Sequence, residues 1–405
     1  MSNIYTIRNQ FPALQQEVYG KPLVYFDNAA TSQRPKAVID LINKMNSATN
    51  ANVHRAIHKL SIDATELYEA GRNAVKMFIN APKRENIVLT SGTTAAINLV
   101  ASSFSWQYLG KGDVVIISAT EHHSNIVPWQ LACERTGAIL KVIPRNEDGH
   151  WDLEAFDKML DTNVKMVAVG HVSNVLGLEN PIKYVIDKAH SVGAQVLIDG
   201  AQGIVHCDVD VQALDCDYYA FSGHKLYAAT GIGVLYGKED RLNDLNPYMG
   251  GGEMIDTVTF AKSTYAPLPL KFEAGTPNFV GAASFAPAVN IALKFKEPEI
   301  KAYADETAKY LFDRLSEEKD IRIYGEGENK VPVYSFNVKG IYNSDLAQIM
   351  DKLGVAVRSG HMCAEPLVNS YGETGMMRAS LAPYNTKEDV DIFMNALHKA
   401  EKMLR

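Results

Sequence analysis

The sequence predicts an α/β fold in which a large domain with a mostly parallel sheet is followed by a smaller α+β C-terminal domain. Three observations carry this expectation. Between about residues 86 and 237, short apolar runs alternate with longer amphipathic stretches, the pattern of parallel strands covered by helices. At 405 residues the chain exceeds what one hydrophobic core comfortably holds. Beyond residue 281 the chain reads as amphipathic helices with strands between them. The expected division is an N-terminal segment, 1–25, packing with the small domain, a large domain over 26–281 and a small domain over 282–405.

Strands are expected at Ile87 to Thr90, Val114 to Ser118, Ile139 to Ile143, Val164 to Val169, Val196 to Asp199, Tyr218 to Phe221 and Ile232 to Tyr236. All are apolar on both faces, as strands buried in a parallel sheet should be. Ile182 to Val192 reads as one of the covering helices. Asn246 to Gly281 contains Gly250-Gly-Gly252, Pro267, Pro269 and Gly275-Thr-Pro277 without a clear period, so it reads as a long loop reaching a partner subunit or the functional site. In the tail, Glu299 to Glu318 is an amphipathic helix, Val333 to Val338 and Val355 to Val357 are strands, and Val390, Phe393, Leu397, Ala400 and Leu404 line one face of a final helix.

Composition excludes several classes. Hydrophobic residues at 46% and charged ones at 21% are ordinary for a soluble globular protein, and a net charge of −7 without a basic block argues against a nucleic-acid partner. The N-terminus has neither the apolar run of a signal peptide nor the basic bias of a transit peptide, so a cytoplasmic location is expected, with no membrane partner. Cys133, Cys207, Cys216 and Cys363 are too few and scattered for a disulfide framework. Cys207 and Cys216 have no matching second pair, and the adjacent His122 and His123 cannot share a helix face at i, i+4, so no metal is expected.

The chemistry-bearing residues fall at strand ends. Asp199 ends the strand Val196 to Asp199, at the edge where open α/β sheets bind ligands. There a carboxylate keeps the pyridine nitrogen of pyridoxal phosphate protonated, making the ring an electron sink. Lys225, in Phe221-Ser-Gly-His-Lys225, has the amine that bonds the cofactor's aldehyde, and partial removal from water beside other cations, His224 among them if charged, lowers its pKa. Gln202 is a candidate for the ring oxygen or a solvated loop residue. Thr90-Ser-Gly-Thr93-Thr94 runs from a strand through a glycine into a helix start, which presents free N–H groups to a phosphate; Ser222 and His224 add donors. After the Val114 strand, Glu121-His122-His123 offers an imidazole to stack on the ring.

A nucleophile comes from farther along. Val355-Ala-Val-Arg358-Ser-Gly-His361-Met-Cys363 is a strand running into a polar, glycine-containing turn that ends in a thiol, and Arg358 and His361 would lower its pKa if they converge on it. Arg358 and His361 are also candidates for the substrate end. Cys133, in a helical run beside Leu131, reads as core packing. Arg378 has the planar fork that binds an amino acid's carboxylate in two places, and Asn174 shares that carboxylate or the ring oxygen.

Together these residues resemble those of Suf-type (group II) cysteine desulfurases, within the class V aminotransferase-like group of fold-type I pyridoxal-phosphate enzymes. The matching segments are Ala51-Asn-Val-His54-Arg55, Gly92-Thr-Thr94, Glu121-His122-His123, Asp199-Gly-Ala-Gln202, Ser222-Gly-His-Lys225, Glu273-Ala-Gly-Thr276-Pro-Asn278, Arg358-Ser-Gly-His-Met-Cys363-Ala and Arg378-Ala-Ser. The resemblance implies that L-cysteine is converted to L-alanine, leaving a persulfide on Cys363 that supplies sulfur for iron–sulfur cluster assembly. It implies a homodimer, Lys225 as the cofactor lysine, His122 as the stacking residue, and Thr94, Ser222 and His224 on the phosphate. Thr276 would reach that phosphate from the other subunit, Arg378 and Asn174 would hold the substrate carboxylate, and a Suf-type acceptor (SufE or SufU) would take the sulfur. The family usually has a second histidine where this chain has Met362, which puts the surface beside the nucleophile in question. Selenocysteine lyase activity is the nearest alternative; kynureninase-like hydrolysis has no use for Cys363, and a non-catalytic scaffold has no use for Lys225, Asp199 and Cys363 together.

Overall fold

The computed structural model describes residues 2–54, 56–325 and 327–405; Arg55, in one of the motifs above, lies outside the described residues. A seven-stranded sheet forms in the order Ile87–Thr90, Gly233–Gly237, Tyr218–Ser222, Gln195–Asp199, Val164–Gly170, Val114–Ser118, Ile139–Ile143. Six strands run parallel and Gly233–Gly237 is antiparallel to both its neighbours.

Side chains alternate across the sheet and feed two cores, which is why these strands are apolar on both faces. Leu197 and Leu235 pack with Leu99, Phe104 and Trp129 on one side, and their neighbours Ile198 and Val234 pack with Tyr68, Phe156 and Ile186 on the other. Ile139–Ile143 departs from the expectation of two buried faces. It is an edge strand with Ile139 and Val142 exposed and Ile143 buried, because it has only one neighbouring strand to share cover with.

A second sheet is antiparallel, in the order Ile321–Tyr324, Val333–Val338, Met376–Ser380, Arg358–Gly360. The helices Pro298–Ser316, Asn343–Lys352 and Lys387–Leu404 join it around a separate core that includes Leu311, Phe336, Leu346, Met377 and Phe393. The final helix starts with a capping box: the Thr386 hydroxyl accepts from the Asp389 N–H, and the Asp389 carboxylate accepts from the Thr386 N–H.

The N-terminal segment divides between these units. Ile4, Ile7, Phe11 and Leu14 join the core of the seven-stranded sheet, with Arg8 paired to Asp389 at 2.8 Å, whereas Val24–Tyr25 runs parallel to Val355–Ala356. Asn246 to Gly281 is more structured than a loop. It contains a hairpin of Ile255–Val258 and Ser263–Tyr265, whose residues are too exposed to leave an apolar period in the sequence. Its far end is anchored by Glu273, whose buried carboxylate meets the Arg72 guanidinium at 2.7 and 2.9 Å, the Tyr68 hydroxyl at 2.9 Å and the Leu89 N–H at 2.7 Å. Every lone pair that faces the core is thereby used, which is what a buried ion pair requires.

Candidate active site

The parallel strands end at one edge, and the turns that follow them build a cavity of about 180 Å³. Thr93, Thr94, Glu121, His122, Asn174, Asp199, Gln202, Ser222, His224 and Lys225 line it from the seven-stranded sheet, and Arg358, Met362, Cys363 and Arg378 close it from the other side. Every site residue expected from the sequence is therefore gathered here except two. Thr276 is exposed and His361 half-buried, and neither is among the lining residues.

Lys225 closes the short turn Gly223–Lys225 after its strand, and Ser32 donates to its carbonyl. Loss of water pushes its amine down to about 8; Asp199 opposes this, and Arg378 and Arg358 reinforce it. His224, which would reinforce this if charged, does not. Burial, then Lys225, push its imidazole down to about 4, so it is neutral and sits with Nδ1 at 3.2 Å from the Thr31 hydroxyl. Asp199 is buried and accepts the Ala201 N–H at 2.9 Å; burial raises its pKa, while that bond and Lys225 lower it.

The two adjacent histidines take different tasks. His122 lines the cavity, and burial, then Lys225, lower its pKa to about 3; Nδ1 accepts the Ser124 N–H at 3.1 Å, which leaves a neutral ring with its proton on Nε2. His123 instead braces the turn that carries Cys363: its N–H donates to the Cys363 carbonyl at 2.7 Å, and its Nε2 accepts the Glu365 N–H at 3.0 Å. Asn174 adds a third tie, Nδ2 donating to the Met362 carbonyl at 2.8 Å. Met362 itself is 3% exposed and packs among Val175, Leu176, Leu367 and Met376. The question that Met362 raised about the surface beside Cys363 is answered by its burial: it is an anchor of the turn and not part of that surface.

At the opposite end, the helix Thr93–Tyr108 starts at Gly92, which has no side chain to cap it, so beyond the Thr93 N–H its first turn can present N–H groups to an anion. Ser222 Oγ accepts the Thr93 N–H at 2.8 Å and lies 2.7 Å from the Thr93 hydroxyl. This contact requires glycine at 233, where a Cβ would come within 2.4 Å of the Gly92 Cα.

Sequence reasoning gave no role to two features here. Glu121 is buried and accepts from the Asn125 amide at 2.7 Å, the Gly170 N–H at 3.0 Å and the Ser118 hydroxyl, tying two strand ends together; burial lifts its pKa to about 7. Its signal was an acid in the turn just beyond the apolar strand Val114–Ser118. The turn Asp27 to Ser32 supplies Ala29 and Ala30 to the lining and Asp27 to Arg378 at 3.0 Å, and it carries no motif of its own.

Two buried atoms have no partner and face this chemistry: Gln202 Oε1, whose amide nitrogen is spent on the Ala29 carbonyl, and Arg378 Nε. A buried acid for a ring nitrogen, an orphaned acceptor for a ring hydroxyl, a neutral histidine, a lysine of lowered pKa and an uncapped helix start fit pyridoxal phosphate.

The class-V aminotransferase family model matches residues 24–393. The chain belongs to this family. It is 47% identical over 404 residues to a probable cysteine desulfurase of Vibrio cholerae, covering all of both chains, and 46% identical over 403 residues to a cysteine desulfurase of Cronobacter sakazakii, covering 99% of each. A crystal structure of the Escherichia coli cysteine desulfurase CsdA, in an S-sulfonic acid form, superposes with a TM-score of 0.92 at 38% identity, covering 100% of this chain and 99% of that one. The chain is accordingly an enzyme that uses pyridoxal phosphate. Among the described residues, no helix is long and apolar enough to cross a membrane.

Proposed function

We propose that this enzyme is a cysteine desulfurase. The observation that carries the reading is that Cys363 lines the same cavity as Lys225 and Asp199 and is tied there by His123 and Asn174. Asp199, Gln202, His122, Ser222, Thr93, Thr94, His224 and Lys225 would hold the cofactor, which supplies an electron sink for charge developing at the substrate's α-carbon. Arg378 and Arg358, opposite each other in register, receive the substrate carboxylate, with Asn174 beside them. Lys225, neutral in an appreciable fraction near pH 8, takes the α-proton. The Cys363 thiolate attacks the substrate sulfur; an S–S bond forms, the Cβ–S bond breaks, and its electron pair remains on carbon and takes a proton. The products are a persulfide on Cys363 and L-alanine.

The finer reading is a Suf-type homodimer that passes sulfur to SufE or SufU for iron–sulfur cluster assembly in the cytoplasm, with the described units acting as a large domain and a small one. The motif set of the sequence supports it, as does the exposed hairpin with Phe260 at its tip and Thr276 nearby in the chain, both free to meet a second copy. The Escherichia coli neighbour is named CsdA and not for a Suf system, so acceptor preference is the deciding measurement.

Anaerobic incubation with L-cysteine, with alanine quantified and persulfide mapped by mass spectrometry, tests the activity. Alanine should appear with one persulfide on Cys363, and Cys363→Ser should bind the cofactor normally yet form neither product. Undiminished sulfur release by Cys363→Ser would overturn the assignment.

A further inference from the structure

Behind the strand-end acid lies a cluster of side chains that this reaction does not use. His171 follows the strand Val164–Gly170, Glu179 returns antiparallel to Val172, and Cys207 follows the short helix Gly203–His206. One ring nitrogen, one carboxylate oxygen and one sulfur lie within 4.8 Å of one another. His171 Nε2 and Glu179 Oε1 are 3.8 Å apart. The helix can approach the imidazole only because residue 203 is glycine: a Cβ there would sit 2.4 Å from His171 Nδ1.

We propose that His171, Glu179 and Cys207 form a zinc site, with water as the fourth ligand. Zinc takes imidazole, carboxylate and thiolate ligands at about 2.0–2.3 Å, which in a tetrahedron separates ligand atoms by roughly 3.3–3.7 Å. The His171 to Glu179 separation is already close to that range, and the thiol needs a movement on the order of 1 Å to join them. A divalent cation with one thiolate and one carboxylate is neutral overall, so the site adds no net charge to the buried layer behind Asp199.

The surroundings of the three ligands are also those of a metal site. His171 Nδ1 lies 2.9 Å from the Tyr219 hydroxyl, with the rings in an edge-on contact, which fixes the imidazole and leaves Nε2 as the coordinating nitrogen. Entry is open on two sides: the Glu179 side chain is 44% exposed, and Cys207 lines a neighbouring cavity with Phe78 and Tyr227. Chain spacing gives no hint of this cluster, because its members come from three separate turns. The His171 N–H donates to the Asp199 carbonyl at 2.9 Å, so an occupied site stiffens the backbone that carries the cofactor's acid, and the metal is structural. The site does not depend on the reaction assigned above.

Cobalt reports on it. The cofactor-loaded full chain carrying Cys363→Ser, which removes the other accessible thiol, is stripped with a chelator and titrated with Co²⁺, then with Zn²⁺ against a chromogenic chelator. One Co²⁺ per chain should give tetrahedral visible bands with a thiolate-to-metal transition, all displaced by one Zn²⁺. Adding Cys207→Ala should remove the thiolate transition and weaken zinc at least about 10-fold, and Tyr219→Phe should weaken it about 10-fold with the transition kept. A parent without the thiolate transition, or one whose transition survives Cys207→Ala, overturns the proposal. Should Cys207→Ala not fold, Glu179→Gln at the half-exposed carboxylate decides: at least about 10-fold weaker zinc supports the site, and unchanged affinity overturns it.

Discussion

Asp199 ends a buried strand and Lys225 sits on a turn that directly continues one, whereas Cys363 sits on a turn of the antiparallel sheet where Met362 and Cys363 have φ of 52° and 56° in succession. Non-glycine residues rarely adopt that conformation, and each costs on the order of 1 kcal/mol or more. The cofactor end therefore carries its strain electrostatically, in a desolvated lysine among cations. The nucleophile end carries its strain in the backbone, offset by ties from His123, Asn174 and the buried Met362. A general base can be tuned by its surroundings, but a thiol that must meet a substrate sulfur has first to be placed.

The largest effect expected from breaking this arrangement is at the cofactor end. In the mechanism proposed above, Lys225→Ala would remove the base and the cofactor's covalent tether, so alanine formation should fall by at least about 10³-fold with an altered cofactor spectrum. A spectrum and rate like those of the parent would place the base elsewhere. At the nucleophile end, Met362→Ala should destabilise the fold by about 3 kcal/mol in denaturant unfolding, the cost of emptying a buried methionine site. Persulfide formation should slow while the cofactor spectrum stays unchanged. Equal loss at both ends would mean that the two are not separately held.

The comparison also has a pH signature. The amine of Lys225 is lowered from 10.5 to about 8 in the folded chain, so between those values the unfolded chain binds more protons. Stability of the cofactor-free protein should therefore rise with pH across that window, by on the order of 2 kcal/mol, since the amine keeps partial access to water. Lys225→Met should flatten this rise in guanidinium unfolding, and a slope that survives the substitution assigns it to other groups.

The same contrast explains what was legible in the sequence. Strand-end residues such as Asp199 could be placed because an apolar run fixes where its strand stops. The turn Asp27 to Ser32 could not, since Asp27 and Asn28 have their partners in Arg378 and Ser380, some 350 positions away. The hairpin Ile255 to Tyr265 escaped because Val258, Phe260 and Tyr265 are exposed, leaving no buried face to impose a period. The burial of Met362 was not legible either, because its apolar neighbours, Val175 and Leu176, arrive from the other sheet's turns.

His123 is where the two ends touch, and its substitution is the smallest of these effects and the most diagnostic. His123→Ala leaves the main-chain bond to the Cys363 carbonyl but removes the acceptor for the Glu365 N–H, a loss of about 1 kcal/mol. Because His122, not His123, lines the cavity, the cofactor spectrum should not change. The turn, however, loses a side-chain tie from the strand-end loop that carries His122, so alkylation of Cys363 by iodoacetamide should accelerate several-fold, and His123→Gln, which restores an acceptor, should bring the rate back. If alkylation is unchanged in His123→Ala, the turn is held by Met362, Asn174 and the main-chain bond from residue 123, and the cofactor end has no mechanical hold on it through this side chain.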